Sequence, residues 1–200
     1  MVERDLIARG IVDPAIVAAF NLVPRHLFVT PNLRYQAYHP VALPIEGQQS
    51  ISQPYIVALM LSKMGLTAQS KVLDVGCGSG YQAALLSRIC KQVYAVERIP
   101  GLVHLAKQRL AQLNYHNVVV KLGDGFEGWP EFAPYDAIVV AACADSFPEA
   151  LYAQLKEGGH LVLPMREGQQ QMLYLYVKRA IKPKRVALGP CVFVPFVKAP

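Results

Sequence analysis

Lys71-Val72-Leu73-Asp74-Val75-Gly76-Cys77-Gly78-Ser79-Gly80-Tyr81 is the stretch on which the fold turns. Lys71 to Val75 is short and mostly apolar, the pattern of a buried strand. Glycines at 76, 78 and 80 then break it, because glycine favours turns and close backbone approach. From Tyr81 to about Cys90 the pattern is helical. Strand, glycine turn and helix in that order open a nucleotide-binding α/β unit.

Downstream, strands and helices go on alternating. Gln92 to Glu97 reads as the next strand, and Pro100 opens a helix to about Leu113. Asn117 to Leu122 and Tyr135 to Ala141 are further strands, Pro148 to Leu155 a helix, and Gly159 to Pro164 a fifth strand. Gln171 to Val177 and Cys191 to Val197 suggest an antiparallel hairpin. Such alternation predicts an α/β fold with a doubly wound, mostly parallel sheet, the hairpin lying at or near one edge.

Upstream, residues 1–65 read as helices and loops. Asp13 before Pro14 is a helix start, and that helix ends before Pro24. A loop punctuated by Pro31, Pro40 and Pro44 follows, and a second helix begins after Ser52 with Pro54 in its first turn. No internal repeat or low-complexity segment is present.

The composition agrees with one domain. Apolar residues make up 53% of 200, and charged ones 17%, enough for a sizeable core. The longest apolar run, Ala137 to Ala144, is too short to span a bilayer, and the N-terminus lacks a signal-peptide pattern, so no membrane association is expected. The four cysteines and five histidines are scattered, which argues against a metal site and for a reducing, cytoplasmic setting. The net charge of +6 could suit nucleic acid. Part of it falls in Lys178, Arg179, Lys182, Lys184 and Arg185 without interleaved aromatics, which reads as a solvated hairpin tip and predicts no nucleic-acid partner.

Ligands in doubly wound sheets bind at the carboxyl ends of the strands. Three such ends carry suitable residues. The turn with Gly76, Gly78 and Gly80 is spaced GxGxG rather than the GxGxxG of a dinucleotide site, which favours an adenosine ligand without pyrophosphate. Glu97 lies about twenty residues on, where an acid meets ribose hydroxyls. Asp124, in Gly123-Asp124-Gly125, could accept from an adenine amino group, with Gly123 and Gly125 giving room for the ring. Each has a plainer reading: a turn, a solvent-facing strand end, a turn former.

Several stretches resemble the protein-L-isoaspartate O-methyltransferase family. They are Val23-Pro24-Arg25-His26-Leu27-Phe28-Val29, Leu43 to Tyr55 with its Ser50-Ile51-Ser52-Gln53-Pro54-Tyr55, Val72 to Gln82, Val96 to Ile99, Gly123 to Gly125, Tyr135 to Ile138, and Val192 to Pro195. The cofactor pieces are shared by many methyltransferases, whereas Ser50 to Tyr55 is specific. The resemblance implies a Rossmann-like methyltransferase domain over 1–200, with 1–65 a helical and substrate-loop segment and 66–200 the cofactor-binding core. It implies S-adenosylmethionine as cofactor and methylation of the free α-carboxyl group of L-isoaspartyl residues in damaged peptides and proteins, by a monomer. It further implies that Ser52 is the active-site serine and that Gln49, Ser50 and Ile51 lie along the cofactor.

The residues by themselves favour a different role for Ser52, as the cap of the helix that Pro54 begins. The family usually has glycine where this chain has Glu46 and Gln48, and threonine in place of Ser50. Glu46 would put negative charge near a site that accepts a carboxylate, with Arg25 or His26 able to offset it. Rival readings are a methyltransferase of another substrate such as RNA, a catalytically silent binder of damaged peptides, and an oxidoreductase, the last disfavoured by the glycine spacing.

Overall fold

The structure, a computed structural model, describes residues 1–198. Helix α1 (Pro14–Leu22) starts as the Asp13-Pro14 pair dictates: the Asp13 carboxylate accepts from the amides of Ala15 at 2.9 Å and Ile16 at 3.2 Å. A small hairpin, β1 (Leu43–Pro44) and β2 (Ser50–Ile51), leads into α2 (Pro54–Ser62). The α/β core then runs β3 (Lys71–Val75), α3 (Tyr81–Ser87), β4 (Gln92–Glu97), α4 (Pro100–Gln112), β5 (Val118–Leu122), β6 (Tyr135–Val140), α5 (Glu149–Ala153), β7 (Leu155–Glu167), β8 (Gln170–Val177) and β9 (Lys184–Pro190).

One seven-stranded sheet has the order β5-β4-β3-β6-β7-β8-β9. Strands β3 to β7 pair in parallel, and β8 and β9 are each antiparallel to their neighbour. The chain leaves β3 toward β4 and β5, then returns to the other side of β3 with β6. The order therefore reverses between β3 and β6, where a crevice opens at the strands' carboxyl ends.

Side-chain alternation divides the core into two layers. Val72, Val93, Ala137, Val139 and Val162 face one way, under Phe20, Leu61, Leu85 and Leu110 from α1 to α4. Leu73, Val75, Ile138, Val140, Leu161 and Leu163 face the other, with Leu151 of α5 and Tyr135. Val2, Leu6 and Phe28 share the first layer, so the N-terminal segment is built onto the sheet. No helix among the described residues is long and apolar enough to cross a membrane.

Two expectations need correction. The last sheet strand is Lys184–Pro190, not Cys191 to Val197. The later segment is extended, but Pro195 has no N–H for a ladder. It runs past the end of β6, where Cys143 donates to the Val194 carbonyl and Phe196 donates to the Cys143 carbonyl, both at 2.8 Å. The charged run is also only partly a tip. Arg179 and Lys182 are exposed, Lys184 and Arg185 lie in β9, and Lys178 Nζ donates to the carbonyls of Ala153 and Leu155 at 2.8 Å.

Candidate active site

The crevice at the strand reversal is a cleft walled by the glycine turn, the end of β4, Ala141 and Ala142 after β6, the Gln49–Ser52 stretch, and Val194 to Val197. The turn is pinned to β4 by the Gly76 amide, which donates to the Val96 carbonyl at 2.8 Å. Gly76 and Gly78 have φ of 80° and 54°, a region that side chains oppose, and a Cβ on Gly78 would meet Ile45 at 3.3 Å. Gly80 has φ of 88° and precedes α3, where a Cβ would touch Ala106 and Leu110 of α4 at 3.4 to 3.5 Å. Its role is to let two helices approach, and it does not line the cleft.

Glu97 ends β4 with 6% exposure and lines the cleft. Its Oε2 accepts from the Gly78 amide at 3.0 Å and its Oε1 from the Ile99 amide at 2.9 Å. A carboxylate oxygen has about two acceptor positions, so each keeps capacity for one more donor. A pair of neighbouring ligand hydroxyls fits that demand. The cradle of bare backbone beside a fixed carboxylate therefore fits an adenosyl group.

Asp74 sits behind the turn with no exposure. It accepts from Gln82 Nε2 at 2.7 Å, and its other oxygen has no partner. Burial pushes its pKa up to about 7, and Glu97 adds to that. Cys77 is buried, and desolvation drives its thiol well above the ordinary value, so it remains a neutral packing group.

Asp124 behaves as its plainer reading expects: its carboxylate accepts from the Phe126 amide at 2.9 Å, two residues on. It is not among the residues lining the cleft, whereas Gly125 is. A Cβ on Gly125 would lie 2.8 Å from both Val75 and Phe196, so only glycine fits between strand and ring. Phe196 in turn stacks on Phe126, with centroids 4.0 Å apart and planes at 8°.

Gln49, Ser50, Ile51 and Ser52 all line the cleft. Ser52 does not cap α2: the capping place falls to Gln53, without a side-chain bond, because Pro54 opens the helix one residue later. Ser50 and Ser52 also line a second, neighbouring groove with Val41, Ile56, Val192 and Phe193. The two serines thus form part of the wall between the two hollows.

Glu46 does not line the cleft. Its Oε1 is 3.2 Å from Arg109 Nη2 on α4, so its charge is balanced by a residue the sequence reading did not consider. Arg25, expected as a counter-charge to Glu46, does not pair with it. It is instead wholly buried and bonded to backbone carbonyls. Arg98, Tyr81, Ala141 and Phe196 also line the cleft without having been assigned to the cofactor. A position just past a strand's carboxyl end was the signal for Arg98 and Ala141. Nothing local marked Phe196.

A doubly wound sheet with this glycine turn, acid and strand-end cleft defines a Rossmann-like methyltransferase. The family model for protein-L-isoaspartate(D-aspartate) O-methyltransferases matches residues 1–200, and the chain belongs to that family. A protein-L-isoaspartate O-methyltransferase of Opitutus terrae is 48% identical over 199 residues, spanning 99% of this chain and 85% of its own. One of Pseudomonas syringae pv. tomato is 46% identical over 202 residues, spanning 100% and 95%. Among solved structures, a protein-L-isoaspartate O-methyltransferase superposes with TM-score 0.88 at 32% identity, covering 98% of this chain, which spans 65% of that one. A structure from Plasmodium falciparum, described as a putative member in complex with S-adenosyl-L-homocysteine, gives 0.85 at 25% identity, covering 98% and 96%.

Proposed function

We propose that this chain transfers the methyl group of S-adenosylmethionine to the free α-carboxyl group of L-isoaspartyl residues in damaged proteins, beginning their return to aspartate. The observation that carries this reading is that Ser50 and Ser52 line both the adenosyl-fitting cleft and the apolar groove beside it. The Plasmodium falciparum structure, in complex with S-adenosyl-L-homocysteine, supports the cofactor.

S-adenosylmethionine supplies a methyl group already activated on sulfonium sulfur. The residues of the chain then have a limited task. A peptide α-carboxyl group, with an ordinary pKa near ~3.5, is ionised at neutral pH, so no base is needed. Ser52 donates its hydroxyl to one carboxylate oxygen and orients the other as nucleophile. Glu97 holds the two ribose hydroxyls, and Gly76 and Gly78 admit the ligand against backbone. The groove beside Val192 and Phe193 receives the peptide. Orientation and exclusion of water supply the acceleration. Four free cysteines, three of them buried, favour a cytoplasmic setting.

The test is labelled S-adenosylmethionine with paired peptides that differ only in L-isoaspartate or aspartate. Base-labile label on the isoaspartyl peptide alone is expected. Label on neither, with cofactor still bound, sinks the substrate assignment. Label taken up by RNA in a parallel reaction, with neither peptide labelled, favours the other substrate class.

A further inference from the structure

The guanidinium of Arg25 is wholly buried, in a short turn between α1 and β1. Its Nε donates to the Ala37 carbonyl and its Nη2 to the Ser52 carbonyl, both at 2.8 Å. Nη1 has no partner, and no carboxylate pairs with Arg25 among the described residues. Burying a cation on neutral carbonyls is costly, and an apolar side chain of similar volume would serve packing better. The geometry points to another reason for its presence.

We propose that Arg25 is a positioning residue for Ser52, holding its backbone at the wall between cofactor cleft and peptide groove. The proposal rests on the role given above to Ser52. Nε and Nη2 lie along one edge of a planar fork, so one rigid group ties together carbonyls at positions 37 and 52. The guanidinium carbon also sits 4.8 Å from the ring centroid of Tyr81, which lines the cleft at the start of α3. Arg25 therefore fixes the bend before α2 relative to the helix that follows the glycine turn. A lysine keeps the charge but is a point donor that cannot reproduce both bonds in one plane. Ala37 and Ser52 would then be free to shift relative to each other, and a serine hydroxyl displaced by a fraction of an ångström loses its hold on the carboxylate.

A double-mutant cycle separates positioning from a general contribution to folding. Wild type, R25K, S52A and R25K/S52A are assayed with an L-isoaspartyl peptide, alongside melting temperatures. R25K is expected to lower kcat about tenfold with KM for S-adenosylmethionine within about twofold, whereas in the S52A background it changes kcat by less than about twofold. An equal loss in both backgrounds overturns the proposal, as does full activity of R25K. R25Q, which keeps one donor, serves where R25K does not fold, with the same criteria. If wild type methylates no isoaspartyl peptide, the substrate reading falls on its own. Amide exchange at residues 50–53 then decides Arg25: faster exchange in R25Q supports it, and unchanged protection overturns it.

Discussion

Replacing Glu97 with glutamine changes one oxygen into an amide nitrogen and removes a charge, at nearly constant volume. In the folded chain both carboxylate oxygens accept backbone amides, from Gly78 at 3.0 Å and Ile99 at 2.9 Å. A glutamine can satisfy only one of them, and its NH2 then faces the other N–H. Hydrogen bonds to a charged acceptor contribute about 1.5–3 kcal/mol, against about 1 kcal/mol for a neutral one. Two ligand hydroxyls that lose the charge, together with a misaligned Gly78 amide, come to about 2–4 kcal/mol of binding. That corresponds to a dissociation constant about 30-fold to 900-fold larger. Isothermal titration of wild type and E97Q with S-adenosylmethionine measures it directly. Urea unfolding of both proteins tells loss of binding from loss of fold. A folded E97Q whose Kd lies within about threefold of wild type refutes the reasoning, because the carboxylate would then not be a ligand group.

Asp74 predicts a pH dependence of stability. Its folded pKa is about 7, against 3.8 in the unfolded chain, so the folded state holds the extra proton between those values. Its contribution is fully present below about 4 and is lost as pH rises through about 7, an amount on the order of 4 kcal/mol. D74N should flatten that slope in urea midpoints measured from pH 4 to pH 8; parallel slopes contradict the assignment. Glu46→Gly should leave turnover within about twofold, because the side chain is paired with Arg109 and off the cleft wall, and should cost about 1–3 kcal/mol, because Arg109 is mostly buried and loses its partner. A rise of tenfold or more would mean that Glu46 repels the substrate. Gly125→Ala forces a Cβ to 2.8 Å from Val75 and Phe196, which should cost about 1–3 kcal/mol and weaken cofactor binding. Unchanged melting temperature and Kd would show that Phe196 moves aside freely.

Much of the architecture was legible because it is locally encoded. Strands β3 and β4 occupy the boundaries their apolar runs predict, and the Asp13-Pro14 start makes the capping bonds expected of it. The Asp124 turn was equally readable, since its bond reaches only two residues along the chain. Strand β9 was missed. Of its seven residues none is buried, so it shows no alternation, and its place comes from pairing with β8. Cys191 to Val197 was misread for the opposite reason. It is apolar enough for a strand, and its position past β6 leaves it lining a cleft.

The same division holds at the site. By itself the sequence marked the glycine turn and the acid at the end of the second core strand, because these depend on residue type and short spacing, whereas the serine-bearing loop stood out only through its resemblance to a family. Only the tertiary structure decided that Ser52 leaves the helix cap to Gln53, that Gly80 spaces two helices, and that Phe196 closes over Gly125. It likewise gave Glu46 a partner 63 residues away and Arg25 partners 12 and 27 residues away. A hydrogen bond or ion pair is set by separation in space. Where the chain must fold before two groups meet, no spacing along it announces the pair.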